Sequence, residues 1–145
     1  MPFHFKMQKV LDYREQLEEE AKVDLALKQR LLEDARALFE RLKTELRQSE
    51  DRLFQAALAP QGERWLMEQY IKGLKGDVAN AAMQTRMHEQ LVEEARKLLA
   101  ARAIERKLLE KLKERQNLQY LREEQLKEQR VNDETATLRY KAPTL

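Results

Sequence analysis

Residues that interrupt helices are almost absent from this chain, and they gather in one place. Its three prolines are Pro2, Pro60 and Pro143, and its three glycines are Gly62, Gly73 and Gly76. The stretches from Phe3 to Ala59 and from Asp77 to Ala142 therefore contain no residue that must break a helix. Ala, Glu, Lys, Leu and Arg supply 88 of the 145 residues, a composition typical of long helices and coiled coils that argues against most β architectures. Aromatics make up 6% and charged residues 37%, too few bulky side chains and too much solvated surface for a broad enzyme-like core.

Apolar residues recur at helical spacing, mostly at steps of three and four, from Phe5 to Leu58: Met7, Val10, Leu11, Leu17, Ala21, Leu25, Leu31, Ala35, Leu38, Leu42, Leu46, Leu53 and Ala57. The repeated steps of four at Leu17, Ala21, Leu25 and at Leu38, Leu42, Leu46 predict a period nearer 3.6 than 3.5 and a weak, irregular supercoil. The segment 59–62, Ala-Pro-Gln-Gly, is the expected turn: Pro60 disfavours α geometry at Ala59, and Gly62 can take a positive φ. A second helical pattern follows over about 63–140, through Leu66, Tyr70, Leu74, Val78, Ala81, Thr85, His88, Leu91, Ala95, Leu98, Arg102, Leu109, Leu112 and Gln116. Gly73 and Gly76 soften its beginning. A short connection between long helices makes them antiparallel neighbours. The expected fold is all-α: one coiled-coil domain over residues 1–145, with helix one at about 5–58, helix two at about 63–140 and an overhang from about 117. Pivoting at the turn sets residue i opposite roughly 121 minus i, with helices of about 80 and 115 Å and an overhang of about 35 Å.

The formal charge is +2, which implies no strong field for a polyanion. Arg96 to Arg115 holds eight basic and three acidic residues; Glu105, Glu110 and Glu114 interrupt it and no aromatic is interleaved for base stacking, so a solvated helix face is favoured over a nucleic-acid site. Cysteine is absent, as suits a reducing cytosol. No apolar run reaches a membrane span and the N-terminus lacks a signal-peptide core, so a cytoplasmic location is expected. There is no phosphate-binding GxxxxGK[ST] loop; His4 and His88 stand far apart, and Ser49 has no histidine to activate it. Catalytic residues, metal and cofactor are all expected to be none. Phe54, Trp65 and Tyr70 fall near the turn, and Phe3, Phe5, Tyr13, Tyr120 and Tyr140 near the open end, where they either cap the pair or anchor a partner.

The opening Phe5, Met7 and Lys9-Val10-Leu11-Asp12-Tyr13-Arg14-Glu15, with Glu18-Glu19-Glu20-Ala21, resembles the start of the flagellar type III export protein FliJ family. Glu105-Arg106-Lys107, Leu109-Glu110-Lys111-Leu112, Asp133-Glu134 and Arg139-Tyr140 are similar to its C-terminal pattern. The resemblance implies a non-enzymatic antiparallel stalk that binds the hexameric export ATPase FliI, promotes ring assembly and turnover, and contacts the export gate protein FlhA and export chaperones. It implies ATPase-binding residues at the open end and overhang: Phe5, Val10, Leu11, Tyr13, Arg14, Asp133, Glu134, Arg139 and Tyr140. It implies a gate-binding pair, Tyr70 and Leu74, no nucleic acid, and membrane association only indirect, at the cytoplasmic face of the inner membrane at the flagellar base. Three other readings share the helical pattern: an injectisome stalk protein, a cytoplasmic scaffold whose helices pair between chains, and a nucleic-acid-binding hairpin using Arg96 to Arg115.

Overall fold

The computed structural model describes residues 2–140. It is all-α, with α1 at Gln8–Gln55 and α2 at Gln61–Tyr140. The helices divide into two compact units: Glu19–Ala100 is one, and Met1–Glu18 with Ala101–Leu145 is the other.

In the unit Glu19–Ala100 the chain folds back on itself, so the helices pair within the chain and not, as in the scaffold reading, between chains. The reversal sits slightly earlier than expected. Ala56 to Leu58 form the turn, where the Ala59 amide donates to the Ala56 carbonyl at 3.0 Å, and Pro60 already caps α2, its carbonyl accepting from the Arg64 amide at 3.1 Å. Gly62 lies in the first turn of α2 and no glycine has a positive φ, correcting the expectation that Gly62 would make the reversal. The cause is Pro60: with φ fixed and no amide to satisfy, proline suits the entrance of a helix, and Arg64 ties the connection by donating to the Ala57 carbonyl at 3.4 Å.

The seam of this unit is a strict heptad. Along α1 and into the turn the seam positions, all buried or half-buried, are Ala21, Leu25, Lys28, Leu32, Ala35, Phe39, Leu42, Leu46, Ser49, Leu53 and Ala56, in alternating steps of four and three, while Asp24, Gln29 and Lys43 beside them are also half-buried. In α2 they include Arg64, Met67, Ile71, Leu74, Val78, Ala81, Thr85, His88, Val92, Ala95 and Leu99. This corrects the 3.6 reading, and the reason is the doublets Leu31-Leu32 and Leu38-Phe39. Only the second member of each keeps a 3.5-residue period, which holds a seam against its partner without drift; Leu31 and Leu38 are left exposed. Leu66 and Tyr70 are likewise exposed while Met67 and Ile71 take the seam. Ala35 and Ala81 keep the helices close, and the Thr85 hydroxyl donates to the Ala81 carbonyl at 2.8 Å and reaches the Ala35 carbonyl at 3.4 Å across the seam.

In the other unit the pairing positions are Leu11, Arg14 and Glu18 against Arg102, Arg106, Leu109, Lys113, Gln116 and Tyr120. Phe5 precedes α1, contrary to the expected helix start, and is buried at 3% exposure; the Phe3 ring packs on Tyr120 with centroids 5.7 Å apart. These two side chains extend the pairing to Tyr120, past the expected limit near 117. From Leu121 to Tyr140 nearly every residue is exposed. Residues 141–145 of the expected overhang lie outside the described residues.

The revised seam is testable by contrast. Leu74→Ala should cost about 2–4 kcal/mol in urea denaturation, whereas Leu66→Ala, at a position 62% exposed, should change stability by about 0.5 kcal/mol or less. Equal costs at the two positions would contradict the heptad assignment.

Candidate partner-binding surfaces

Helical periodicity separates the residues expected to bind partners into packed and presented sets. At the beginning of α1, Leu11 is buried at 2% exposure, whereas Val10 and Tyr13 face solvent at 40% and 56%. Phe5 and Leu11 thus support this end from within, and Val10 and Tyr13 are the side chains it offers. Arg14 is half-buried and its Nη1 donates to Glu105 Oε2 at 2.8 Å. Asp133, Glu134, Arg139 and Tyr140 are exposed on the last turns of α2. The Thr137 hydroxyl donates to the Asp133 carbonyl at 2.8 Å, a local bond that leaves the Asp133 carboxylate outside it.

Sequence reading missed the ionic cluster of this unit. Glu18 is 7% exposed and sits on a seam position, where it accepts from Arg106 Nε and from Arg106 Nη2, the latter at 3.4 Å. Arg106 Nη1 also donates to Glu110 at 2.8 Å, and Arg102 reaches Glu105 at 3.4 Å. Hydrogen bonds to Glu18 and then Glu110 hold the Arg106 guanidinium above its already high ordinary pKa, so it is always charged. The signal was available, because a pivot near residue 60 brings position 106 within about one turn of position 18. These pairs also occupy two arginines of the basic run 96–115, which weakens its reading as a phosphate-binding strip. Beside the cluster runs a groove of about 470 Å³ lined by Phe3, Leu11, Glu15, Lys107, Lys111 and Glu114, among others.

Near the reversal, Phe54, Leu58, Trp65, Leu66 and Tyr70 are all more than half exposed. The Tyr70 hydroxyl donates to the Glu45 carboxylate, and that bond raises the phenol pKa above its ordinary value, so Tyr70 is neutral at physiological pH. Leu74 is buried at 5% in the seam. The expected pair Tyr70 and Leu74 is therefore one presented side chain and one beneath it. Among the described residues no group of three or more His, Cys, Asp or Glu is disposed to hold a metal ion, and no helix is long and apolar enough to cross a membrane.

If the Glu18–Arg106 pair fixes the register of its unit, Glu18→Arg alone should lower the Tm by placing two cations on one seam. Adding Arg106→Glu should recover most of the loss, because the exchanged pair meets in the same place. Thermal unfolding followed by circular dichroism checks this; no recovery in the exchanged chain would reject the pair as a register device.

No curated protein and no solved structure matches the chain. A family profile does: the one described as "Flagellar FliJ protein" matches residues 3–144, taking in both helices, the reversal between them and both ends. The two-helix fold and the family match lead to one conclusion: this chain belongs to the flagellar FliJ family and has a role in flagellar protein export and biogenesis.

Proposed function

We propose that this protein is the non-enzymatic stalk of a flagellar export apparatus, binding the hexameric ATPase FliI, promoting assembly of its ring and raising its turnover. The observation that carries the proposal is the contrast between the two units. The unit Glu19–Ala100 has a mostly apolar seam that holds itself together. The other unit pairs through a cluster of charged groups beside Phe5 and Leu11, and ends in about 30 Å of helix, Leu121 to Tyr140, with almost no intrachain packing. A lone helix of that length with sparse apolar residues is marginal in water, and a ring of subunits would supply the contacts it lacks. Val10, Tyr13, Asp133, Glu134, Arg139 and Tyr140 are the side chains such a ring would meet; Phe5, Leu11 and Arg14 would hold Val10 and Tyr13 in place.

The exposed aromatic group near the reversal is assigned to the export gate protein FlhA, with Tyr70 presented and Leu74 backing it. Large exposed aromatics of this kind are common interface anchors. Export chaperones share the same assembly, and attachment to the membrane is through the apparatus alone. The family match favours the flagellar machine over an injectisome.

Two experiments test these assignments. A chain ending at Tyr120, which keeps the Phe3–Tyr120 contact, should remain helical but lose stimulation of FliI ATP hydrolysis that the full chain provides; undiminished stimulation would sink the role of the free helix. Tyr70→Ala should weaken FlhA binding by about 10-fold or more in a titration that leaves ATPase stimulation intact. Because Leu74 is packed in the seam, it is left unchanged in that variant.

A further inference from the structure

The two flanks of the seam in the unit Glu19–Ala100 are unlike. With seam positions lettered a and d of the heptad, Arg36 and Glu89 both occupy e and pair at 3.4 Å, while Glu45 and Tyr70 both occupy g and are bonded. The e positions of α1 and α2 thus share one side of the pair, and the g positions share the other. The e side is charged, with Lys22, Arg36, Lys43, Glu89 and Arg96. The g side, with its neighbouring c positions, carries Leu27, Leu31 and Leu38 on α1 and Met87, Leu91 and Leu98 on α2; five of these six are exposed by 42% or more and Leu91 is half-buried. Coiled-coil flanks ordinarily hold charged residues here, so this is a second apolar stripe with no partner among the described residues.

The geometry points to a second copy of this chain as the occupant, docked face to face with its helices antiparallel to their own counterparts in a four-helix bundle. The stripe is self-complementary about a single two-fold axis. An axis crossing α1 between residues 32 and 33 sets Leu27 against Leu38 of the other copy, and Asp24 against its Arg41. The Arg36–Glu89 and Thr85–Ala35 contacts put residue 89 within about one helical turn of that height. There the same axis sets Met87 against Leu91. An isologous contact needs this property, in which each residue and its counterpart exchange roles, and here Leu27 with Leu38, Asp24 with Arg41 and Met87 with Leu91 satisfy it together. Two pairs are mismatched: Leu31 meets Asp34, and Leu98 meets Asn80.

The stripe is about 25 Å long and two helices wide, so the dimer buries about 1,000 Å² in total, at the lower edge of specific interfaces. That area fits a weak, concentration-dependent dimer. The inference does not depend on the export role, since none of these residues was assigned to the ATPase or the gate.

Sedimentation equilibrium of the full chain is the first test. The expected result is a monomer–dimer equilibrium that Leu27→Glu with Leu38→Glu abolishes at unchanged helicity. Arg41→Asp should weaken the dimer about 5-fold or more and Asp24→Arg with Arg41→Asp should restore it. Asp34→Leu should tighten it, a gain that loss of folding cannot imitate. Because the chain has no cysteine, Leu27→Cys mixed with Leu38→Cys should oxidise mainly to the mixed disulfide. Preferential crosslinking of Leu31→Cys to Leu91→Cys would instead place α1 on α2 of the other copy and overturn the arrangement. A monomer at all concentrations, with Asp34→Leu having no effect, would overturn the dimer itself; binding of an amphipathic helical peptide to that monomer would give the stripe to another protein.

Discussion

Everything in this fold rests on two helices keeping one 3.5-residue stripe against each other. A two-helix layer has no third element to hide errors of phase, so each residue on the stripe either fills the gap or opens it. The alternation of four and three in both helices of the unit Glu19–Ala100 is the solution, with Ala35, Ala81 and Ala95 letting the backbones approach and Leu32, Phe39, Ile71, Leu74 and Val92 filling the space between them. The cost of this economy is a thin interior. Most residues of each helix have water on one side, and stability comes from the stripe and from many weak surface pairs such as Lys22–Glu19 at 3.1 Å.

The helices, their antiparallel sense and the approximate partner of each residue were legible in the sequence because they depend on gross features: where proline and glycine are missing, and where the chain must turn. The exact stripe was not. At Leu31-Leu32 and Leu38-Phe39 both members are apolar, so hydropathy alone gives no choice, and the decision falls to phase along the whole helix. Gly62 was misread for a similar reason: a glycine beside a proline suggests a turn, yet Pro60 makes a sufficient helix entrance without it.

The candidate binding residues were legible as a set but not in their division of labour. Val10 and Leu11 are adjacent and chemically alike, and only the helix's orientation makes one a surface and the other a support. Tyr70 and Leu74 divide in the same way. The Glu18–Arg106 pair was harder to see, because glutamate and arginine at helical spacing are so common here that no single pair stands out until the register brings the two together.

That pair also gives the two units different responses to solvent. Ionic contacts weaken as dissolved salt shortens the reach of charge, to about 8 Å at physiological ionic strength, whereas burial of apolar surface weakens on cooling. The ionic contacts of Arg14, Glu18, Arg102 and Arg106 follow the first variable, and the burial of leucine, valine and alanine in the unit Glu19–Ala100, like that of Phe5 and Leu11, follows the second. The ionic cluster of one unit can thus be loosened by the ionic surroundings of a binding partner while the apolar seam of the unit Glu19–Ala100 keeps its grip.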